Sequence, residues 1–236
     1  MKKQYQRVLL KLSGELFGDK TGQGINFAAY ETIAKELINF WKKNKLELAI
    51  VVGGGNIFRG RQRAAQVDEA TADYMGILAT VINGMALQEA FERLGAPTRM
   101  MTAIDMRNVA EPYIRRRAIR HLEKGRIIIL TGGTGNPFFT TDTGAALRAA
   151  EINCEVILKA TNVDGVYSED PDKNPKAILY RELTYKEALE KDLEVMDGTA
   201  FALCRRQKLP IIVFNIKRLT ELEKILQGET VCTLVK

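Results

Sequence analysis

One histidine, one tryptophan and three cysteines occur among 236 residues, and these scarcities rule out several kinds of chemistry. A single histidine, His121, removes most histidine-based triads and multi-histidine metal sites. It stands without evident partners in a helix-like stretch, which favours a structural or surface role. Cys154, Cys204 and Cys232 are widely spaced, odd in number and without a CxxC arrangement, so neither a disulfide framework nor a zinc site is indicated, and a reducing cytoplasm fits best. No apolar run is long enough to span a bilayer. The opening MKKQYQRVLLKLSGE meets Lys11 and Glu15 too soon for a signal peptide and reads as a first strand. Internal repeats, low-complexity tracts and a GxxxxGK(S/T) phosphate loop are also missing.

What is present is ordinary for a soluble globular protein: 46% hydrophobic and 27% charged residues. The length suits one α/β domain over residues 1–236, burying roughly 70 to 75% of the unfolded surface. A net charge of +6 suits an anionic ligand such as a nucleotide, and equally nucleic acid or a basic surface without special role.

Short apolar runs at Arg7 to Leu12, Leu48 to Val52, Thr98 to Met101, Arg126 to Leu130, Glu155 to Leu158, Ile211 to Phe214 and Val231 to Val235 read as strands. Helical spacing marks Phe27 to Lys45, Asp68 to Leu94, Ala110 to Glu123, Thr143 to Ile152, Tyr185 to Lys191, Thr199 to Lys208 and Leu219 to Leu226. The alternation predicts an α/β fold with a largely parallel sheet covered on both faces. Turn signals in NVDGVYSEDPDKNP, after Lys159, predict a hairpin or irregular flap.

Three strand ends carry glycine turns: Ser13-Gly14 after RVLLKL, Gly53-Gly54-Gly55-Asn56 after LAIVV, and TGGTGNPFFTTD after RIIIL. In a parallel sheet, loops at strand C-termini share one edge, so the three can surround one elongated ligand. The third turn runs into the helix that Asp142 opens, and a helix N-terminus favours an anion. The second lacks the last glycine of GxGxxG, which weakens a dinucleotide reading. Lys11, Arg59 and Asp142 adjoin the turns, and phosphoryl transfer needs such cations to neutralise charge and a carboxylate to organise them. Lys11 on an apolar strand is costly to bury unless paired or facing a ligand.

KLSGE at Lys11 to Glu15, GGGNIFRG at Gly53 to Gly60, DYMGILATVINGMAL at Asp73 to Leu87, GTGNPFFTTD at Gly133 to Asp142 and LKATNVDGVYSEDP at Leu158 to Pro171 occur in the order found in bacterial-type uridylate kinases. The chain resembles that group, the UMP kinases of the amino acid kinase superfamily, essentially end to end. The resemblance implies a three-layer αβα sandwich with a central, mostly parallel sheet. It also implies transfer of the ATP γ-phosphoryl group to UMP in pyrimidine biosynthesis, a Mg2+ requirement and a homohexamer. Residues 1–158 then form mainly the UMP side and phosphate junction, and residues 159–236 mainly the ATP side.

By the same resemblance, Lys11, Leu12, Ser13 and Gly14 meet the ATP phosphates, Gly55 and Arg59 lie at the phosphate junction, and Thr161, Tyr167 and Asp170 serve the ATP base and ribose. Gly54 lies beside UMP, Asp73 holds its ribose, and Thr134, Gly135, Asn136, Pro137, Phe138, Phe139, Thr140 and Thr141 form the UMP loop. Lys11, Arg59 and Asp142 are the expected catalytic residues, with Lys159 near the transfer site. Phe138 and Phe139 either line the pocket or pack in a core or subunit contact, and packing is favoured because paired aromatics commonly do so. Asp197 reads as a helix cap before Thr199 or a nucleotide neighbour, with the cap favoured. Asp19, Lys20, Thr21, Gly22, Gln23 and Gly24 occupy the place associated with GTP activation, although their composition says only flexible loop. UTP feedback belongs to the same expectation. No direct protein ligand is assigned to the metal.

Two rivals stand beside this reading. One is an amino acid kinase acting on a carbamate or an N-acyl amino acid carboxylate. The other is a nucleic-acid-binding regulator using Arg115, Arg116, Arg117, Arg120 and Lys124 as a basic face, with Tyr113, Ile114, Ala118, Ile119 and Leu122 buried behind it; a solvated face is the commoner role of such a stripe.

Overall fold

The computed structural model describes residues 5–59 and 67–236. Gly60, the end of the GGGNIFRG motif, and the first four residues of the opening segment lie outside the described residues. The strands are β1 (Arg7–Leu12), β2 (Glu47–Val52), β3 (Thr98–Thr102), β4 (Glu111–Pro112), β5 (Ile127–Thr131), β6 (Val156–Thr161), β7 (Glu182–Leu183), β8 (Ile211–Asn215) and β9 (Thr233–Val235). The α-helices are α1 (Phe27–Asn44), α2 (Glu69–Arg93), α3 (Arg115–Glu123), α4 (Thr141–Glu151), α5 (Tyr185–Glu190), α6 (Gly198–Gln207) and α7 (Leu222–Leu226).

One nine-stranded sheet runs in the order β4-β3-β5-β2-β1-β6-β8-β9-β7. Pairing is parallel from β4 to β8; β9 then runs antiparallel to β8 and carries β7 parallel to itself. Alternation along each strand sends side chains to two cores. Val8, Leu10, Leu12 and Ile50 pack with Tyr30, Leu37, Phe91 and Leu222 under α1, α2 and α7. Leu9, Val51 and Ile157 pack with Ala118, Ala145, Ala149 and Phe201 under α3, α4 and α6. Apolar strands buried on both faces are what a parallel sheet between helix layers requires. The result is the expected three-layer arrangement.

The departures from expectation have local causes. The stretch before α3 is not helical from Ala110: Glu111–Pro112 form β4, because Pro112 lacks an N–H and forces an extended Glu111. The Tyr113 N–H then bonds the Thr102 carbonyl at 2.9 Å. Ile114 sits at the N-cap of α3 and stays exposed rather than joining the buried side. Residues Ile216–Glu221 form a 3-10 turn, and only Leu222–Leu226 continue as α-helix. After β6 the flap is a hairpin-like return in which Tyr167 bridges Leu179, so its reversal lies beyond Asp164-Gly165. Gly165 instead packs against Thr233. Residues Asp19 to Gly24 are bonded rather than loose: Asp19 Oδ1 accepts from the Thr21 and Gln23 N–H groups, and the Gly24 N–H bonds the Asn56 carbonyl.

Candidate active site

The central parallel strands β5, β2, β1 and β6 end side by side, which brings all three glycine turns to one edge of the sheet. The first two meet backbone to backbone. A Cβ built on Gly14 would lie 2.5 Å from the Gly55 nitrogen, and one on Gly53 would lie 2.9 Å from the Gly14 nitrogen. A polar cluster underneath sets this contact. Asn83 in α2 donates to the Gly53 carbonyl and to Asn56 Oδ1, both at 2.7 Å, and accepts from the Tyr30 hydroxyl at 2.7 Å. Burial pushes the Tyr30 hydroxyl up to about 12, so it remains a proton donor.

Strand register places Lys11 of β1 directly beside Lys159 of β6. Two ammonium groups so placed repel, and Asp142 from α4 lies between them. Lys159 Nζ donates to Asp142 Oδ2 at 2.7 Å and to the Val195 carbonyl at 2.7 Å. Lys11 Nζ lies 2.9 Å from Asp142 Oδ1 as an ion pair without hydrogen-bond alignment. Burial alone would raise the Asp142 carboxyl, but the two ammonium groups override it and hold it below the usual range. Burial also lowers Lys159, against the attraction of Asp142.

The helix that supplies Asp142 starts earlier than expected. Thr140 is its N-cap, accepting from the Asp142 and Thr143 N–H groups, so Asp142 belongs to the first turn and its carboxylate is free to face the lysines. Asp197 caps α6 through the Ala200 N–H, as the sequence favoured, and also accepts from the Thr140 and Thr143 hydroxyls. One carboxylate therefore ties the start of α4 to the start of α6.

Two cavities meet at Thr140 and Thr141. The larger, about 670 Å³, is bordered by Lys11, Asp142, Lys159, Met196, Asp197 and Phe201. The smaller, about 230 Å³, is bordered by Gly54, Gly55, Asp73, Gly133, Thr134, Asn136 and Phe139. Its loop is pinned from α2: Thr80 Oγ1 accepts from the Gly132 N–H at 2.9 Å, and Asp73 Oδ2 accepts from the Phe138 N–H at 2.7 Å. A third space, about 100 Å³, brings Ser13 and Thr161 together beside Glu15 and Asn162.

Other expected residues are placed differently. Phe138 and Phe139 are 66% and 47% exposed, so neither fills the core of the chain; Phe139 lines the smaller cavity, while Phe138 adopts φ 69° and points away from the core. Gly135 and Pro137 shape the loop without bordering these three cavities. Arg59 does not border them either: its Nε donates to the Gly55 carbonyl at 3.1 Å, and Nη2 lies 2.5 Å from Glu15 Oε1. Tyr167 and Asp170 stay in the flap, where Asp170 accepts from the Asp172 N–H and pairs with Lys173. His121 has the partners the sequence did not reveal. Arg126 donates to Nδ1, so Nε2 carries the proton toward Glu111, and the imidazole is structural.

The amino acid kinase family model matches residues 6–215, from the start of β1 to the end of β8. The chain belongs to the amino acid kinase family. Two solved structures carry the likeness through the whole chain. The crystal structure of UMP kinase from Ureaplasma parvum is 36% identical, with a TM-score of 0.92 over 99% of this chain and 100% of that one. That of UMP kinase from Bacillus anthracis is 40% identical, with a TM-score of 0.93 over 99% and 97%. Within the amino acid kinase fold, sequence reasoning missed Glu15, Asn56, Thr80, Asn83 and Arg148 as supports of the site. Asn83-Gly84, two poor helix formers inside an apolar helical run, was the available signal. Gly84 leaves no room for a Cβ, which would lie 2.4 Å from Thr131 Cγ2.

Proposed function

We propose that this amino acid kinase transfers the γ-phosphoryl group of ATP to UMP, giving ADP and UDP. The observation that carries the reading is the junction of the two cavities at Thr140 and Thr141, with Lys11, Asp142 and Lys159 beside it. The smaller cavity takes UMP, with Asp73 toward the ribose and the 134–141 loop around the base. The donor phosphates meet Lys11 in the larger cavity and the Ser13-Gly14 turn that follows β1, and Thr161, which shares the third space with Ser13, serves the remainder of ATP with Tyr167 and Asp170. Residues 1–158 then supply mainly the acceptor side, and residues 159–236 mainly the donor side.

The acceptor oxygen of UMP is already anionic, so a direct in-line transfer needs no general base, in keeping with a histidine fixed between Glu111 and Arg126. Lys11 and Lys159 stabilise the charge in flight, Asp142 holds them apart and aligned, and the α4 N-terminus adds its partial positive charge. Arg59, a fixed and permanently charged fork, reaches the phosphates by leaving Glu15. Magnesium bound with ATP would spread the negative charge of the phosphates beside Lys11, Asp142 and Lys159. Among the described residues no group of three or more His, Cys, Asp or Glu is placed to hold a metal ion, so phosphate oxygens and water would supply most of its ligands.

The assembly we propose is a homohexamer, supported by an apolar stripe on α2 in which Tyr74, Met75, Leu78, Ile82 and Met85 are exposed. GTP activation and UTP feedback complete the proposal, with the 19–24 loop, bonded to the second glycine turn at Asn56, as the GTP region. A cytoplasmic place in pyrimidine nucleotide biosynthesis fits three free, buried cysteines. No helix among the described residues is long and apolar enough to cross a membrane.

An assay of ATP with UMP, CMP, carbamate and N-acetylglutamate tests the reading. UMP is the expected acceptor, and transfer to carbamate or the carboxylate alone would overturn it. Nucleic-acid binding through α3 is disfavoured because Arg117 and Arg120 pair with Glu111 and Glu123, and Arg115 donates to the Glu151 carbonyl.

A further inference from the structure

We propose that Arg148 is a positioning residue for the acceptor nucleotide, acting through the carbonyl of Gly133; the inference rests on the acceptor reading of the smaller cavity. Arg148 is 7% exposed in α4 and borders neither of the two cavities that meet at Thr140 and Thr141, so it does not touch a ligand there. A buried guanidinium is costly unless its donors are used. Nη1 donates to Glu151 Oε2 at 2.7 Å, Nη2 donates to the Gly133 carbonyl at 3.2 Å, and Cζ lies 4.0 Å from the centre of the Tyr113 ring.

Gly133 begins the wall of the smaller cavity in a conformation that needs holding. Its φ is 55°, between Gly132 at 78° and Gly135 at 87°, all in the left-handed region. The α4 helix meets this carbonyl-bearing residue at two positions one turn apart. Gly144 approaches so closely that a Cβ there would lie 3.1 Å from Gly133 Cα, and Arg148 fixes the carbonyl itself. From the opposite side Thr80 holds the Gly132 N–H and Asp73 holds the Phe138 N–H. Arg148 thus adds an α4 anchor to a loop that α2 also holds through Thr80 and Asp73 and whose far end bonds Asp197 through Thr140. The planar fork is essential, because one nitrogen serves Glu151 while another serves Gly133 and the plane lies over Tyr113. A lysine has a single point of charge and cannot meet all three.

The test compares wild type, Arg148→Lys and Glu151→Gln by steady-state kinetics in both nucleotides, UMP calorimetry and thermal melting. Arg148→Lys is expected to raise KM for UMP about tenfold while leaving KM for ATP within about twofold. Glu151→Gln keeps an acceptor for the guanidinium but not its charge, and is expected to give a smaller, equally UMP-selective rise. If Arg148→Lys fails to fold, Glu151→Gln and Tyr113→Leu carry the test by the same selectivity. Equal changes for ATP and UMP, or an unchanged KM for UMP in folded variants, would overturn the role of Arg148. Wild-type protein that bound no UMP would overturn the acceptor reading and this inference with it, whereas equal UMP affinity in wild type and Arg148→Lys would overturn the positioning role alone.

Discussion

The two cavities that share Thr140 and Thr141 are built from opposite materials. The larger gathers side-chain charge: Lys11, Asp142 and Lys159 are held on strand ends and a helix start, and Asp192, Glu194 and Asp197 also line it. The smaller is backbone, hydroxyl and aromatic, with Asp73 its one ionisable group among the described lining residues. The contrast separates two tasks. Moving a phosphoryl group calls for charge in a place of low dielectric, where it acts strongly. Choosing an acceptor calls for shape, and in the proposed reading a loop with left-handed glycines held from two helices supplies it.

The largest expected effect tests whether that separation is real. Lys11→Ala should lower turnover by about 10³-fold while leaving UMP affinity by calorimetry little changed. A parallel collapse of UMP binding would mean that the charge cluster also builds the acceptor cavity. Next is Asp142→Asn, which leaves the buried lysines without their counterion and should cost about 3 kcal/mol in urea unfolding near neutral pH. The Asp142 carboxyl is held low in the folded protein, so its stabilising pairing is complete above an unfolded value of about 3.9 and is lost as pH falls through the lower folded value. The difference between wild type and variant should therefore close only in strong acid; a gap that closed above pH of about 5 would contradict the pairing. The smallest effect belongs to the other cavity. Thr80→Val orphans the Gly132 N–H and should cost about 1–3 kcal/mol in thermal or urea unfolding, with a rise in KM for UMP and little change in kcat. A variant impaired in kcat alone would erase the distinction between the regions.

Much of this arrangement is legible in the amino-acid sequence. The apolar runs located β1, β2, β3, β5, β6, β8 and β9 because strands buried on both faces leave an unmistakable pattern, and three glycine turns at their ends located the edge where the cavities open. Lys11 and Asp142 stood out as charges adjoining those turns. Strands β4 and β7 are two residues each and too short to leave a period. Lys159 resembles a residue near the transfer site of related kinases, but its register with Lys11 could not be read, since strand order is a property of the sheet and not of either segment. Arg148 and Asn83 escaped for a related reason: each acts on the backbone of a distant segment, and a hydrogen bond to a carbonyl imposes no signature on the sequence that supplies it. Phe138, expected to line the pocket or pack in a core or subunit contact, lies outside the core of the chain because its left-handed backbone turns the ring outward.

The near contact of Gly14 with Gly53 and Gly55 has a bearing on redesign. Two turns that touch through their main chains behave as one machined part, and no side chain can be introduced at Gly14 without displacing the other turn. Altering the proposed donor end therefore means transplanting both turns together. The smaller cavity, the proposed acceptor end, is open to piecemeal change, since Phe58, Asn136 and Phe139 border it with side chains whose size can be varied one at a time.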